Sequence, residues 1–405
     1  MVELCSDFRD VFRAGRYGFS GKKITIHLLG LIFSYLIYQI LVYLSLLIAG
    51  GTAARDFWDT YALFPAHPFV DYNFASITLG AMWVGLVILF AVFFLASTMV
   101  SKITIQQLRG DNFFSMCESA RFLRENWRAV IGVFVGLIVI FLLLALVPTI
   151  VGLLGMIPKV GSVIVAIASI FSPLAFFIGL LMTYIVVILG VSLFFAPAVV
   201  ASADSDTFET AYQHFSMIWN QPWRVVVYEA LLFGLKLICV PIWAIFCLLG
   251  FSIAMLPIRY LIPAQLKIFM GHADAWLGGA LAKLTTLPYI ESLSVFDTIT
   301  PANLTTDGVS GFELYAIKVS SIFTTFSLLF IAGLIIAYLL SIASTGNTLI
   351  YVVLRRRVDG TNLLGVAEEE EALPPDTSDS STSQEAEPHE ASPENQSRSS
   401  ENNEH

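Results

Sequence analysis

The chain has 405 residues, 57% of them hydrophobic and 13% charged, with a mean hydropathy of +0.77. One water-soluble core cannot hide that much apolar surface, so lipid is the main solvent and a soluble globular fold is excluded. The net charge of −9 comes from residues 366–405, which hold 12 of the 31 acidic residues and, of the 22 basic ones, only Arg398; the remainder carries +2.

The first 23 residues are polar and lack the short apolar core and small-residue cleavage site of a secretory signal, so the first apolar segment is expected to act as an uncleaved insertion signal. Crossing about 30 Å of hydrocarbon takes about 20 apolar residues. Six stretches reach that length: about 24–49, 76–100, 129–155, 173–200, 225–256 and 321–354. Pro148 and Pro241 predict kinks or tilts in the third and fifth. The run at 160–172, bounded by Pro158, Gly161 and Pro173, is too short to span, so 156–172 reads as a re-entrant or interfacial helix.

The aromatic 51–75 connection, broken by Pro65 and Pro68, is expected to rest on the headgroup layer. In 257–320, the mixed apolar and polar pattern of Leu261–Leu284 predicts a helix lying in the same interface. Beyond Arg357 the sequence turns to Glu, Ser, Pro and Asn with almost no aliphatic residues. The region 361–405 is therefore expected to be a disordered acidic tail, a solvating spacer able to take protein partners.

Basic residues set the orientation. Arg9, Arg13, Arg16, Lys22 and Lys23 flank the first span, Lys102, Arg109, Arg121, Arg124 and Arg128 lie between spans two and three, and Arg355, Arg356 and Arg357 close the sixth. These segments are assigned to the cytoplasm, which puts both termini there.

A weak recurrence organises the body. Asp111, Trp127-Arg128, Val147-Pro148 and Leu153-Leu154-Gly155 are matched by Asp206, Trp223-Arg224, Val240-Pro241 and Leu248-Leu249-Gly250, at offsets of 95, 96, 93 and 95 residues. A degenerate first copy begins at Asp7-Phe8. The units fall at about 7–110, 111–205 and 206–360 of a 1–360 membrane domain. Each is read as a cytoplasmic amphipathic helix followed by a hairpin of spans. In the second, Phe114, Cys117 and Arg121 lie at helical spacing, and the helix is expected to run along the inner leaflet before turning into the bilayer. Copies entering from one side are parallel, unlike the inverted repeats of many transporters.

The segment from Asp206 through Trp219 to Pro222-Trp223-Arg224, with the closing Thr348–Arg355 and Asp359-Gly360, resembles uncharacterised bacterial polytopic inner-membrane proteins. It is also distantly similar to the membrane domain that precedes some glycerophosphoryl diester phosphodiesterases. The resemblance covers about residues 1–360 and implies a bacterial inner-membrane location. The paired His and Glu motif of the phosphodiesterase catalytic domain is missing, so that activity is not implied.

No local motif points to chemistry. Cys5, Cys117, Cys239 and Cys247 have no CxxC spacing, and His27, His67, His214, His272, His389 and His405 form no HxxxH or HExxH pattern, so no metal or cofactor is expected and no catalytic residue is assigned. Phosphate-binding glycine loops and the GxSxG elbow are missing as well. The candidate functional polar residues are Glu229 and Lys236, seven residues apart on one face of the fifth span and about 10 Å apart along its axis. Trp127, Arg128, Trp223, Arg224, Arg355, Arg356 and Arg357 are read as interfacial anchors, with Asn347 joined to the last three as an attractor of anionic lipid. Gly132 and Gly136 permit close helix approach, within the monomer by preference. A nucleic-acid role is not expected beside so acidic a tail.

The sequence thus predicts an all-α polytopic membrane protein of about six transmembrane helices in three hairpins, with cytoplasmic amphipathic helices and a disordered tail. Membrane lipids are its expected partners and its oligomeric state is open. The preferred role is a non-enzymatic scaffold or envelope-associated protein. A transporter or channel with a polar path along the fifth span is the rival, and a lipid-modifying enzyme the third reading.

Overall fold

The computed structural model describes residues 8–50, 52–66, 68, 75–203, 206–277 and 311–359. The acidic tail and residues 278–310 lie outside them. The described chain is helical throughout: α1 (Arg9–Gly18), α2 (Gly21–Ala49), α3 (Ala53–Tyr61), α4 (Ser76–Arg109), α5 (Met116–Gly155), α6 (Gly161–Ile170), α7 (Ser172–Ala203), α8 (Thr207–Asn220), α9 (Pro222–Leu261), α10 (Pro263–Trp276) and α11 (Gly311–Asp359). Six of these, α2, α4, α5, α7, α9 and α11, are long and apolar enough to cross a membrane. Consecutive spans pack as the pairs α2–α4, α5–α7 and α9–α11. The protein is a multi-pass bundle whose outward faces carry side chains such as Leu47, Val87 and Leu237, each at least 65% exposed. Only lipid makes such a surface favourable.

The helix α11 is the axis of the bundle. It packs on α1, α2, α4, α7, α9 and α10. The six successive residues Leu349–Leu354 are all buried. Six consecutive helical positions point to every side, so this end of α11 is enclosed rather than leaning on one neighbour. Val11 and Ala14 of α1, Leu108 of α4, Val199 of α7, Met217 of α8 and Val225 of α9 belong to the same apolar cluster. The Arg355–Arg357 triplet follows at once, so water is the alternative environment here, and each aliphatic chain buried contributes roughly 1.5–3 kcal/mol. The helices α1 and α8 thus form a collar around one end of the bundle, called the basic end below. Both Arg9 and Arg357 lie at that end.

Two close approaches fix α1 and α9 on α11. A Cβ on Gly18 would lie 2.9 Å from Ile342 Cα, and one on Gly346 would lie 2.3 Å from a Leu232 methyl. Glycine is what lets α1 and α9 reach α11.

The matched segments 111–128 and 206–224 fold differently. Asp111 accepts from the backbone N–H groups of Phe113 (2.9 Å) and Phe114 (3.1 Å), and Ser115 with Glu118 forms a capping box that starts α5. From there α5 runs 40 residues, about 60 Å, through Trp127-Arg128 into the span without a break. The expected turn into the bilayer is therefore not found in this copy. In the other copy Asp206 is the N-cap of α8, and the chain breaks at Gln221 (φ −143°, ψ 53°) before Pro222 starts α9. Proline disfavours helical backbone in the residue before it and has no N–H to continue the ladder. Asn126 occupies the matching position in α5 and imposes no such break.

At the opposite end, α6 is a ten-residue, mostly apolar helix exposed on most sides, as a short helix lying against lipid would be. The helix expected within 261–284 is α10, and it is not a free interfacial helix. Leu266, Met270, Ala273 and Leu277, spaced 4, 3 and 4 residues apart, are buried, with Leu266, Met270 and Leu277 packed in one cluster with Phe251 of α9 and Leu328 of α11.

Candidate functional site

The connection between α2 and α4 is built into the bundle. One face of α2 carries Tyr35, Tyr38, Gln39 and Tyr43. Their side chains donate to the backbone carbonyls of the loop after α3: Tyr35 and Gln39 (2.8 Å) to Leu63, Tyr38 to Ala66, and Tyr43 to Ala62. Gln39 lies ten residues, about 15 Å, before the end of α2. So α3 descends alongside α2, and the loop is held well below the helix end. Phe57, Ala62 and Ala66 are buried there, packed with Met82 of α4. The described part of 51–75 is packed on α2 and α4 rather than lying free of the bundle. The reason is that buried carbonyls outside a helix need donors, and α2 supplies them. The loop also joins α10, through Leu63 N–H to the Trp276 carbonyl (3.0 Å) and an edge-to-face contact of Trp58 with Trp276 (centroids 5.4 Å apart).

Toward the basic end, polar side chains pin α11 to its neighbours. Ser341 Oγ donates to the Gly18 carbonyl (2.7 Å), His27 Nε2 meets Ser344 Oγ (3.1 Å), Asn347 Nδ2 donates to the Phe194 carbonyl (2.9 Å), and Tyr351 donates to Gln213 Oε1. These contacts reach α1, α2, α7 and α8 in turn. Each contributes on the order of 1 kcal/mol, so together they specify the register of α11 more than they drive its burial. His214 of α8 is fully buried beside Ser192 Oγ (3.2 Å from Nδ1), and burial pushes its imidazole down to about 3.

Two cavities adjoin these contacts. The larger, about 290 Å³, lies between α2, α4 and α11, walled by Gly30, Leu31, Val92, Phe93 and Leu340, with His27 the main polar group. The smaller, about 20 Å³, lies between α4, α7 and α11 and is lined by Ser97, Ser101, Pro197, Ser344 and Asn347 among others. Phe93, whose ring stacks on His27, lines both.

The residues singled out by sequence fall elsewhere. Glu229 and Lys236 are half-buried on α9, beside the buried stripe Val225, Tyr228 and Leu232. Glu229 Oε1 is buried without a hydrogen-bond partner, and neither residue lines either cavity. The two Trp-Arg pairs make the same contact, Arg128 over Trp127 at 5.7 Å and Arg224 over Trp223 at 5.3 Å, with both indoles exposed. Arg356 and Arg357 are exposed and Arg355 is half-buried at the end of α11. Asn347 does not join them: it is buried two to three turns earlier and bonded to α7, so its place among the lipid-facing anchors is corrected. Gly132 seats Thr207 at the start of α8, where a Cβ would lie 2.6 Å from the hydroxyl, whereas Gly136 has nothing within 4 Å.

Sequence reading passed over Tyr35, Tyr38, Gln39 and Tyr43. Their i, i+3, i+4, i+8 spacing within an apolar run was the available signal. Ser97 and Ser344 stand in a recurring Ala-Ser-Thr triplet, Ala96–Thr98 and Ala343–Thr345, which marks the repeat but not a shared polar space, and Ser101 carries no comparable signal. Among the described residues no group of three or more His, Cys, Asp or Glu side chains converges as metal ligands. No family model, curated protein or solved structure matches the chain.

Proposed function

We propose that the protein is a non-enzymatic scaffold of the bacterial cytoplasmic membrane, with both termini in the cytoplasm and the acidic tail available to protein partners. The carrying observation is the enclosure of α11: Leu349–Leu354 are buried on every side, and the polar side chains of Ser341, Ser344, Asn347 and Tyr351 are used in joining it to four other helices. Such an arrangement favours one rigid state over alternation between two. The inside assignment rests on the basic flanks gathered at the collar end. The exposed Trp127-Arg128 and Trp223-Arg224 pairs, together with Arg356 and Arg357, suit anionic headgroups at that surface.

The rival reading, a polar path along α9, has one observation in its favour, the buried and unpartnered Glu229 oxygen. Purification of the full chain with its native lipids separates the two. A scaffold brings a stoichiometric protein partner that is lost when residues 366–405 are removed, and Glu229→Ala and Lys236→Ala leave solute fluxes unchanged. A chain that purifies alone, with a flux abolished by either substitution, overturns the scaffold reading.

A further inference from the structure

We infer that the small cavity between α4, α7 and α11 binds a single monovalent cation of about the size of Na⁺. This goes beyond the scaffold reading and does not depend on it. The first ground is a set of buried oxygens without partners. Ser97 and Ser101 are 2% and 1% exposed and Asn347 is 7% exposed, all three line or adjoin the space, and Ser97 Oγ, Ser101 Oγ and Asn347 Oδ1 make no hydrogen bond. Leaving such groups unsatisfied costs about 1–3 kcal/mol each.

Local alternatives are not taken. Thr98 and Thr104 on the same helix, and Thr348 on α11, donate to the carbonyl four residues back at 2.7–2.8 Å. Ser97 and Ser101 do not, although that bond is open to any helical serine. Asn347 is fixed by chemistry: the group meeting the Phe194 carbonyl must be its amide nitrogen, because a carbonyl only accepts. Its Oδ1 is therefore an acceptor with nothing to accept. Leu193 and Pro197 also line the cavity, and Pro197 lacks the N–H that would bond the Leu193 carbonyl in a regular helix. Ser344, whose hydroxyl meets His27, lines the space as well, so the three unpartnered oxygens and this hydroxyl stand as candidate ligands.

Size and charge narrow the occupant. A volume of about 20 Å³ admits one water-sized particle and no organic molecule. Asp and Glu are missing from the lining, so a divalent ion would be buried without compensation, whereas a single charge can be met by oxygen dipoles.

The test is thermal unfolding of the full chain in nanodiscs at constant ionic strength, with NaCl, KCl or N-methylglucamine chloride. Tm should rise saturably with Na⁺ or K⁺ relative to N-methylglucamine. Ser97→Ala with Ser101→Ala, which removes two of the unpartnered oxygens, should raise the half-saturating concentration at least about tenfold, and Ser101→Ala alone should raise it by less. Identical Tm values in the three chlorides mean that a water fills the cavity and overturn the assignment. So does an alkali-ion response that the Ser97→Ala, Ser101→Ala protein keeps unchanged, since the ion then sits elsewhere. Should the double variant fail to fold, the wild-type titration and Ser101→Ala alone still decide.

Discussion

Substituting Gly18→Ala would place a methyl group 2.9 Å from Ile342 Cα, 3.0 Å from its Cγ1 and 3.2 Å from its N. Two of those atoms are backbone, so no rotamer change can relieve the contact and α1 must move off α11. Overpacking of this kind costs about 1–3 kcal/mol. The movement also lengthens the 2.7 Å bond from Ser341 Oγ to the Gly18 carbonyl, which is worth about 1 kcal/mol more. The sum, about 2–4 kcal/mol, lowers Tm by roughly 3–6 °C for a bundle of this size. Gly21→Ala is the control, because nothing lies within 4 Å of its Cβ position and alanine is the better helix former. Dye-detected unfolding of the purified chain compares the two. Should Gly18→Ala melt with the wild type, α1 would not be docked on α11 and the collar would be wrong.

Other outcomes follow from the same contacts. His214 titrates near 3 when folded and near 6.5 when unfolded, so below about 6.5 the unfolded chain binds the extra proton. Its contribution is complete above about 6.5 and is lost as pH falls toward about 3, with a slope of up to about 1.4 kcal/mol per pH unit. His214→Gln should flatten Tm between pH 6.5 and 5 relative to wild type, and equal slopes in the two proteins would disprove burial of a neutral imidazole. Tyr38→Phe combined with Tyr43→Phe removes two donors to the loop after α3, so an Ala66→Cys thiol should react roughly tenfold faster with an impermeant maleimide. Unchanged labelling would mean that the loop is not held by α2.

The six spans were legible because uninterrupted apolar runs report them directly, and the short helix α6 was legible from the prolines and glycine around it. Departures came from interactions that hydropathy does not register. In α2, Tyr35, Tyr38, Gln39 and Tyr43 sit within an apolar run, yet they hold the loop after α3 against α2. The turn expected after 111–128 rested on the helical spacing of Phe114, Cys117 and Arg121, and one residue, Asn126 against Pro222, decides whether the chain turns. Asn347 lies eight residues before the arginine triplet and was grouped with it, but the helix continues between them and buries it. The small cavity draws on three spans far apart in sequence, so no local pattern could announce it.

The most direct test of a six-span bundle in which α4 and α11 end on the same side is the sidedness of three positions in the intact membrane. Cysteine labelling or reporter fusions at Gly110, Ile262 and Asp359 provide it. The account predicts Gly110 and Asp359 in the cytoplasm and Ile262 on the opposite side. Finding Gly110 and Asp359 on different sides, or Ile262 on the same side as either, would contradict it.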